Sequence, residues 1–234
     1  MKEKLLNKKL LAVACAAVLF AGLSMPASAQ YKKKKYEQLR QPDMAQHEQY
    51  LTEYRQHLDQ QQHVYQQSLA QLQQEKRMSQ YNYQRQYSAQ MLEQQRRYVN
   101  AHIPNFRYDP FFRTAFDRRY NRGGIYYETN RYGETHLQQA IQNGYAEGFR
   151  AGMADRQDRW RSDYERSVAY QDANYGYNGY YVSLNDYNYY FREGFRRGYE
   201  DGYYGRYQYG RRINGRYSIL DSVLAGILTF QMLR

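Results

Sequence analysis

The sequence predicts a mainly α-helical protein, in which a long coiled-coil-like N-terminal helix precedes a helical domain built on two glycine-zipper repeat helices. Two observations support this fold class. The first is the tract from Pro42 to Asn100, which has no Gly and no further Pro and is rich in Gln, Glu, Arg, Ala, Leu and Met, all good helix formers. The second is a glycine at every fourth position in two segments whose first glycines, Gly144 and Gly194, stand 50 residues apart.

Composition limits the classes of function. The chain has 234 residues, 30 of them Tyr, and its mean hydropathy of -1.05 excludes a polytopic membrane protein. A single Cys excludes both a disulfide framework and a cysteine-based zinc site. Lys and Arg number 34 against 23 Asp and Glu, and the resulting formal charge of +11 favours acidic partners.

The first 29 residues are predicted to be an export signal. Four lysines precede an apolar run over residues 10–23, and Ala27-Ser28-Ala29 matches a small-x-small cleavage site. We therefore expect a protein that is exported, either periplasmic or secreted. Lipid attachment at Cys15 is the alternative, although the apolar run continues well past that residue. Residues 30–41 are then a basic N-terminal tail.

Residues 42–101 are predicted to form one long Gln-rich helix. Pro42 suits its first turn, and Pro104 follows its end. An apolar position recurs every seven residues, at Leu51, Leu58, Tyr65 and Leu72. This pattern is half of a coiled-coil seam, because the companion positions are poorly apolar. It leaves two interpretations open: self-association through a weak coiled coil, or a solvated and partly frayed single helix.

Residues 102–134 are predicted to connect this helix to the next domain. Asp109 followed by Pro110 predicts the start of a short helix that ends at Gly123. An apolar stripe at helical spacing, interpreted as core, contains Phe111, Phe112, Ala115 and Phe116. Residues 125–132 have strand propensity and predict a small hairpin.

Residues 135–210 contain an internal duplication of a Gly/Tyr-rich helix. Gly144, Gly148 and Gly152 align with Gly194, Gly198 and Gly202, and the large residues that follow them include Tyr145, Phe149, Phe195 and Tyr199. Spacing by four puts the glycines of each repeat on one helical face. Each Gly costs about 1 kcal/mol relative to Ala inside a helix, which makes sense only where another backbone packs closely.

We therefore expect these ten residues to pack the two repeats together as antiparallel helices, with each aromatic ridge in the groove of the other. The alternative is a flexible low-complexity segment. A capping box at Thr135 and Gln138 predicts the start of the first helix, which could extend past Trp160, and Ser183 or Asn185 is expected to cap the second. Residues 172–181 are predicted to be the loop between them.

Residues 211–234 are predicted to form an apolar C-terminal helix. Its apolar part, residues 218–234, offers only about 15 residues with Asp221 inside, which is too short for a spanning helix, so none is expected after removal of the signal. Three placements remain open: packing on the repeats, joining an oligomer, or lying on a membrane surface.

The duplicated segments, Asn143-Gly-Tyr-Ala-Glu-Gly-Phe-Arg-Ala-Gly152 and Glu193-Gly-Phe-Arg-Arg-Gly-Tyr-Glu-Asp-Gly202, carry a family resemblance. Over residues 136–209 the chain resembles a group of uncharacterised secreted bacterial proteins with tandem Gly/Tyr-rich helical repeats. The resemblance covers about a third of the chain and implies an all-helical, envelope-associated protein. That group supplies no activity to carry over, and the Gln-rich helix lies outside the resemblance.

No catalytic, cofactor-binding or metal-binding residue is predicted, and an enzyme is not expected. The five His lack metal-ligand spacing, and the three on the Gln-rich helix are interpreted as solvated. The expected function is that of an envelope structural or interaction protein acting through helix packing and self-association. Two alternatives remain: an Arg/Tyr-rich binder of an anionic polymer such as nucleic acid, lipopolysaccharide or acidic glycan, and a periplasmic holdase chaperone.

Overall fold

A computed structural model describes residues 39–100 and 108–233 of the chain. The export signal and almost all of the basic tail lie outside the described residues. The described part is mainly helical, so the predicted fold class is confirmed at that level. Within these residues, no helix combines the length and the apolar character needed to cross a bilayer.

The Gln-rich tract forms two helices, α1 (Met44–Gln74) and α2 (Met78–Asn100), so the prediction of one continuous helix is wrong. Between them Lys76 takes a φ of 57°, a left-handed conformation that is usually supplied by Gly. The chain therefore reverses at a position where the sequence has neither Gly nor Pro to signal it.

Helix α2 runs back along α1. Ser68 Oγ donates a hydrogen bond to Gln84 Oε1 at 3.0 Å, and Gln95 Nε2 donates to Asp59 Oδ1 at 2.9 Å. The predicted seam is buried within the chain, at Leu51, Leu58, Tyr65 and Leu72. The apolar stripe of α1 is therefore covered by other parts of the same chain, which offsets the cost of the left-handed residue at the turn.

Residues 110–113 form turns where a short helix was predicted, and no helix forms in the described residues 108–124. Asp109 does act as a cap, since its Oδ1 accepts from the Phe111 amide at 2.8 Å. The chain then enters β1 (Arg118–Arg122), which pairs antiparallel with β2 (Ile125–Thr129) around a Gly123–Gly124 turn. A hairpin is present, but it spans residues 118–129 instead of the predicted 125–132, so only its second strand lies in the predicted segment. Its first strand occupies part of the segment predicted to be helical and also pairs with a third strand.

The duplicated segments form α3 (Arg131–Gln157) and α5 (Leu184–Tyr204). Helix α3 starts earlier than predicted, because Asn130 Oδ1 accepts from the Tyr132 amide at 3.1 Å and thereby caps it. Thr135 lies inside the helix and hydrogen-bonds to Arg131, so the predicted capping box is wrong. Ser183 caps α5 as predicted, with its Oγ 3.1 Å from the Asp186 amide nitrogen.

Helix α3 does not extend past Trp160. It ends at Gln157, and Arg159 takes a φ of 54° immediately afterwards. The connection to α5 contains a single 3-10 turn (Tyr164–Arg166), the short helix α4 (Val168–Asp172) and the predicted irregular loop.

The predicted C-terminal helix is wrong over most of its length. The chain forms β3 (Gly210–Ile213), β4 (Arg216–Ile219), α6 (Asp221–Ile227) and β5 (Phe230–Met232). Asn214 and Gly215, both at positive φ, make the tight turn between β3 and β4, which is the turn that Asn-Gly favours. Strand β5 pairs with β1, which gives a three-stranded antiparallel sheet in the order β2–β1–β5.

Candidate functional site

Helices α3 and α5 meet along the six glycines identified in the sequence. A Cβ atom on any of them would collide with a backbone carbonyl of the other helix. On α3, the glycines Gly144, Gly148 and Gly152 face the carbonyls of Phe191, Phe195 and Tyr199; on α5, Gly194, Gly198 and Gly202 face those of Ile141, Tyr145 and Phe149. The contact is therefore between two backbones, which only glycine permits.

The order of these contacts shows that the two helices are parallel. Gly144 near the start of the contact faces Phe191, and Gly152 near its end faces Tyr199, so both chains run the same way. The predicted antiparallel arrangement is wrong. Bare glycine faces allow either direction, and here residues 158–183 carry the chain back to the other end of α3 before α5 begins.

The aromatic residues beside the glycines are buried, but their rings contact other elements. The Phe149 ring stacks on Tyr217 of β4 with centroids 3.9 Å apart. The Phe195 ring lies 5.7 Å from that of Tyr170. Tyr145 packs under Gly210 at the start of β3. The aromatic side chains of each helix thus position a neighbouring segment, while the backbone carbonyls of the same residues lie over glycines of the other helix.

Buried carboxylates receive tyrosine hydroxyls at the sides of this helix pair. Tyr145 donates to Asp201 Oδ2 at 2.9 Å, and Tyr199 donates to Asp155 Oδ2 at 2.6 Å. Burial raises the pKa of Asp155, although hydrogen bonds from Tyr199 and Arg77 oppose that effect. The same burial raises the pKa of the Tyr199 hydroxyl, which therefore stays protonated and donates. Sequence reasoning missed these pairs, because the partners are far apart in the chain.

A third buried carboxylate, Asp172, holds the helical hairpin to the rest of the fold. Its Oδ2 accepts from the Tyr65 hydroxyl at 2.7 Å and from the Tyr87 hydroxyl at 2.8 Å. Its Oδ1 accepts from Asn174 at 2.8 Å, and His57 Nε2 lies 3.1 Å away. The carboxylate therefore links α1, α2 and the loop before α5.

Two histidines that the sequence left without a role have structural roles. His47, interpreted as solvated, is buried and its Nδ1 bonds to the Tyr180 carbonyl, so that interpretation is wrong. Burial lowers the pKa of His136 to about 4, and its Nε2 accepts from the Asn178 amide at 3.2 Å. In the described part of the chain, no three His, Cys, Asp or Glu come together as a metal site would require.

An aromatic cleft of about 320 Å³ lies between the start of α1, the β1–β2 hairpin and the loop before α5. Arginine guanidinium groups already cover three of its rings: Arg40 over Phe116 at 5.9 Å, Arg119 over Tyr126 at 4.8 Å, and Arg122 over Tyr127 at 4.6 Å. These three rings therefore have no free face on that side for a ligand to stack on.

The β3–β4 hairpin carries unpaired positive charge. Residues 204–219 contain four Arg and no Asp or Glu. Arg206 pairs with Glu200. Arg211, Arg212 and Arg216 are exposed, and none of the acidic residues that the structure describes pairs with them. We call these three arginines the basic hairpin surface.

Comparison of the chain with protein-family models, with curated proteins and with solved structures finds no match in any of the three. Function is therefore argued from the geometry of the chain itself.

Proposed function

We propose that this protein is an exported, non-enzymatic interaction protein that binds an acidic glycan of the cell envelope on its basic hairpin surface. The observation that carries the proposal is the set of three exposed arginines with no acidic partner on one short hairpin. Arginine forks onto carboxylate, phosphate and sulfate groups, and clustered positive charge raises the association rate with a polyanion.

The two faces of the hairpin differ. Gly210 pairs with Ile219 and Arg212 with Tyr217, and this face packs on α3 through the buried Ile219. The opposite face carries Arg211 and Arg216. Arg211 and Ile213 are two residues apart on β3, and Ile213 pairs with Arg216, so the two arginines share the outward face. Arg212 belongs to the other face, where it lies exposed over the Tyr217 ring.

The hairpin is held rigidly. Gln142 of α3 donates from Nε2 to the Tyr217 carbonyl at 2.9 Å, and its Oε1 accepts from the Ile219 amide at 3.1 Å. The Tyr217 ring also stacks on Phe149. A charged surface that is fixed before binding loses less entropy when its ligand arrives.

Glycan is favoured over nucleic acid by the state of the tyrosines. Single-stranded nucleic acid binds best where free aromatic faces stack on bases. Beside the basic hairpin surface, Tyr217 is already packed against Phe149 on one side, and Arg212 lies over its ring at 5.7 Å. Tyr207, which is half exposed, also stacks on Phe149 at 5.4 Å.

Self-association has less support than the sequence suggested. The seam of α1 was the expected surface for self-association, and its apolar residues are buried within one chain. The three arginines of the basic hairpin surface, by contrast, stay exposed.

The test is binding to heparin, as a model acidic glycan, and to a single-stranded oligonucleotide of matched charge, by fluorescence anisotropy over a range of salt. We expect heparin to bind more tightly, with an affinity that falls as salt rises. Replacing Arg211, Arg212 and Arg216 by Gln should weaken binding at least about tenfold.

The matched control removes three exposed arginines of α2 by Arg85→Gln, Arg96→Gln and Arg97→Gln, which changes the net charge equally. It should keep most of the affinity. Equal losses in the two triple variants, or tighter binding of the oligonucleotide, would contradict the proposal.

A further inference from the structure

A separate polar cavity of about 230 Å³ opens between the C-terminal half of α1, the start of α2 and the segment around α4. It is distinct from the basic hairpin surface, with which it shares no residue. Pockets for drug-sized molecules begin at about 300 Å³, so this one suits a smaller molecule.

The charged groups of the cavity are already paired. Arg77 lies 2.5 Å from Asp155 and 3.3 Å from Glu75. Arg166 lies 3.0 Å from Glu75. Two guanidinium groups thus balance two carboxylates, and an ionic ligand would have to break one of these pairs in a partly buried place. The cavity therefore favours a neutral ligand.

Two buried donors that line the cavity have no hydrogen-bond partner in the described chain. One is the Ser167 hydroxyl, on a residue that is 4% exposed; the other is Nε of Arg77, which is 5% exposed. Ser167 stands at the N-terminus of α4 without capping it through its side chain. Buried polar groups are nearly always satisfied, so these two call for a partner in the cavity.

Amide side chains add an acceptor to these two donors. Gln71, Gln80 and Gln84 line the wall. Gln71 Nε2 already donates to Glu75 at 2.9 Å, and Gln84 Nε2 donates to the Tyr65 carbonyl at 3.5 Å. The remaining capacity of these amides lies mainly in the carbonyl oxygen of Gln71. Gln84 already receives the Ser68 hydroxyl at 3.0 Å, which orients its amide. A ligand that gives and accepts hydrogen bonds at several adjacent atoms would use this wall most fully.

We infer that the cavity binds a small neutral polyhydroxylated molecule of the size of one sugar ring. Such a molecule presents adjacent hydroxyls, each a donor and an acceptor, and leaves the four charges paired. Water alone is the competing occupant, since the volume equals that of several water molecules at about 30 Å³ each.

The test is isothermal titration calorimetry of the full chain with five named probes: glucose, galactose, mannose, N-acetylglucosamine and myo-inositol. We expect at least one to bind saturably at or below millimolar concentration. Ser167→Ala should lower the binding affinity for that probe by about three- to tenfold, which is the effect of one lost neutral hydrogen bond.

A second pair of variants tests the location. Gln71 and Gln73 are both exposed on α1, but only Gln71 lines the cavity. Gln71→Trp should fill the opening and abolish binding, whereas Gln73→Trp should leave it unchanged, and both should fold. The inference fails if none of the five probes binds, if glycine or inorganic phosphate displaces the sugar, or if Gln71→Trp binds as the parent chain does.

Discussion

The α3–α5 pair and the α1–α2 hairpin are both two-helix units, yet they are held by opposite means. In the α3–α5 pair the contact depends on six missing side chains, which let two backbones touch. The α1–α2 hairpin depends on particular side chains, because the hydroxyls of Tyr65 and Tyr87 reach the buried carboxylate of Asp172.

The difference teaches which contacts a sequence makes visible. A backbone contact repeats with every turn of both helices, so the sequence shows a glycine at every fourth position. A buried carboxylate with two tyrosine partners produces no regular spacing in the sequence, because the carboxylate and the two tyrosines come from three separate segments of the chain. The following experiments separate the two kinds of contact, from the largest expected effect to the smallest.

Gly148→Leu should break the α3–α5 pair. Its Cβ would collide with the carbonyl of Phe195, and backbone cannot move aside as a side chain can. We expect a loss of more than about 5 kcal/mol in the free energy of unfolding, measured by urea denaturation. Gly226→Ala is the control, since that helical glycine has open space around it. The control should be neutral or more stable by up to about 1 kcal/mol. Unchanged stability of Gly148→Leu would refute the backbone contact.

Asp172→Ala should loosen the α1–α2 hairpin and spare the glycine contact. The change leaves two buried tyrosine hydroxyls without an acceptor, each at about 1–3 kcal/mol, so we expect a loss of about 4 kcal/mol. Native-state hydrogen exchange should show amides of α1 and α2 losing protection before those of α3 and α5.

Asp59→Ala is the matched control, because Asp59 is an exposed carboxylate on α1 that accepts from Gln95. It should change stability by less than about 0.5 kcal/mol. Simultaneous loss of protection in all four helices of Asp172→Ala would show that the hairpin is not a separate unit.

Acid should lower the stability of the folded chain by protonating His136 of α3. Burial lowers its pKa to about 4 in the folded chain, against 6.5 when exposed. Between these values the unfolded chain binds a proton that the folded chain does not, so stability falls as pH drops from 6.5 to 4. At about 1.4 kcal/mol per pKa unit, the loss is roughly 3 kcal/mol.

The measurement compares the parent chain with His136→Gln by urea denaturation at pH 7 and pH 4. The comparison is needed because burial raises the pKa of Glu147, Asp155 and Asp186, and those groups favour the folded state as pH falls. The stability difference between the two chains should shrink towards pH 4. A constant difference would show that His136 is not kept neutral by burial.

Local sequence determined the helical class, the six glycines that contact an opposing backbone and the apolar positions of α1 that become buried. These follow from residue identity and helical period alone. The Asn214–Gly215 hairpin was also readable, since this dipeptide favours a two-residue turn, but the apolar composition of the C-terminus obscured it.

Only the tertiary structure decided the direction of the helix pair, the reversal at Lys76 and the partners of the buried carboxylates. A glycine face accepts a neighbour running either way, so the direction depends on the path of residues 158–183. The left-handed Lys76 is tolerated because burial of distant residues outweighs its local cost. Both choices depend on contacts between segments far apart in the chain, and neither leaves a periodic mark in the sequence.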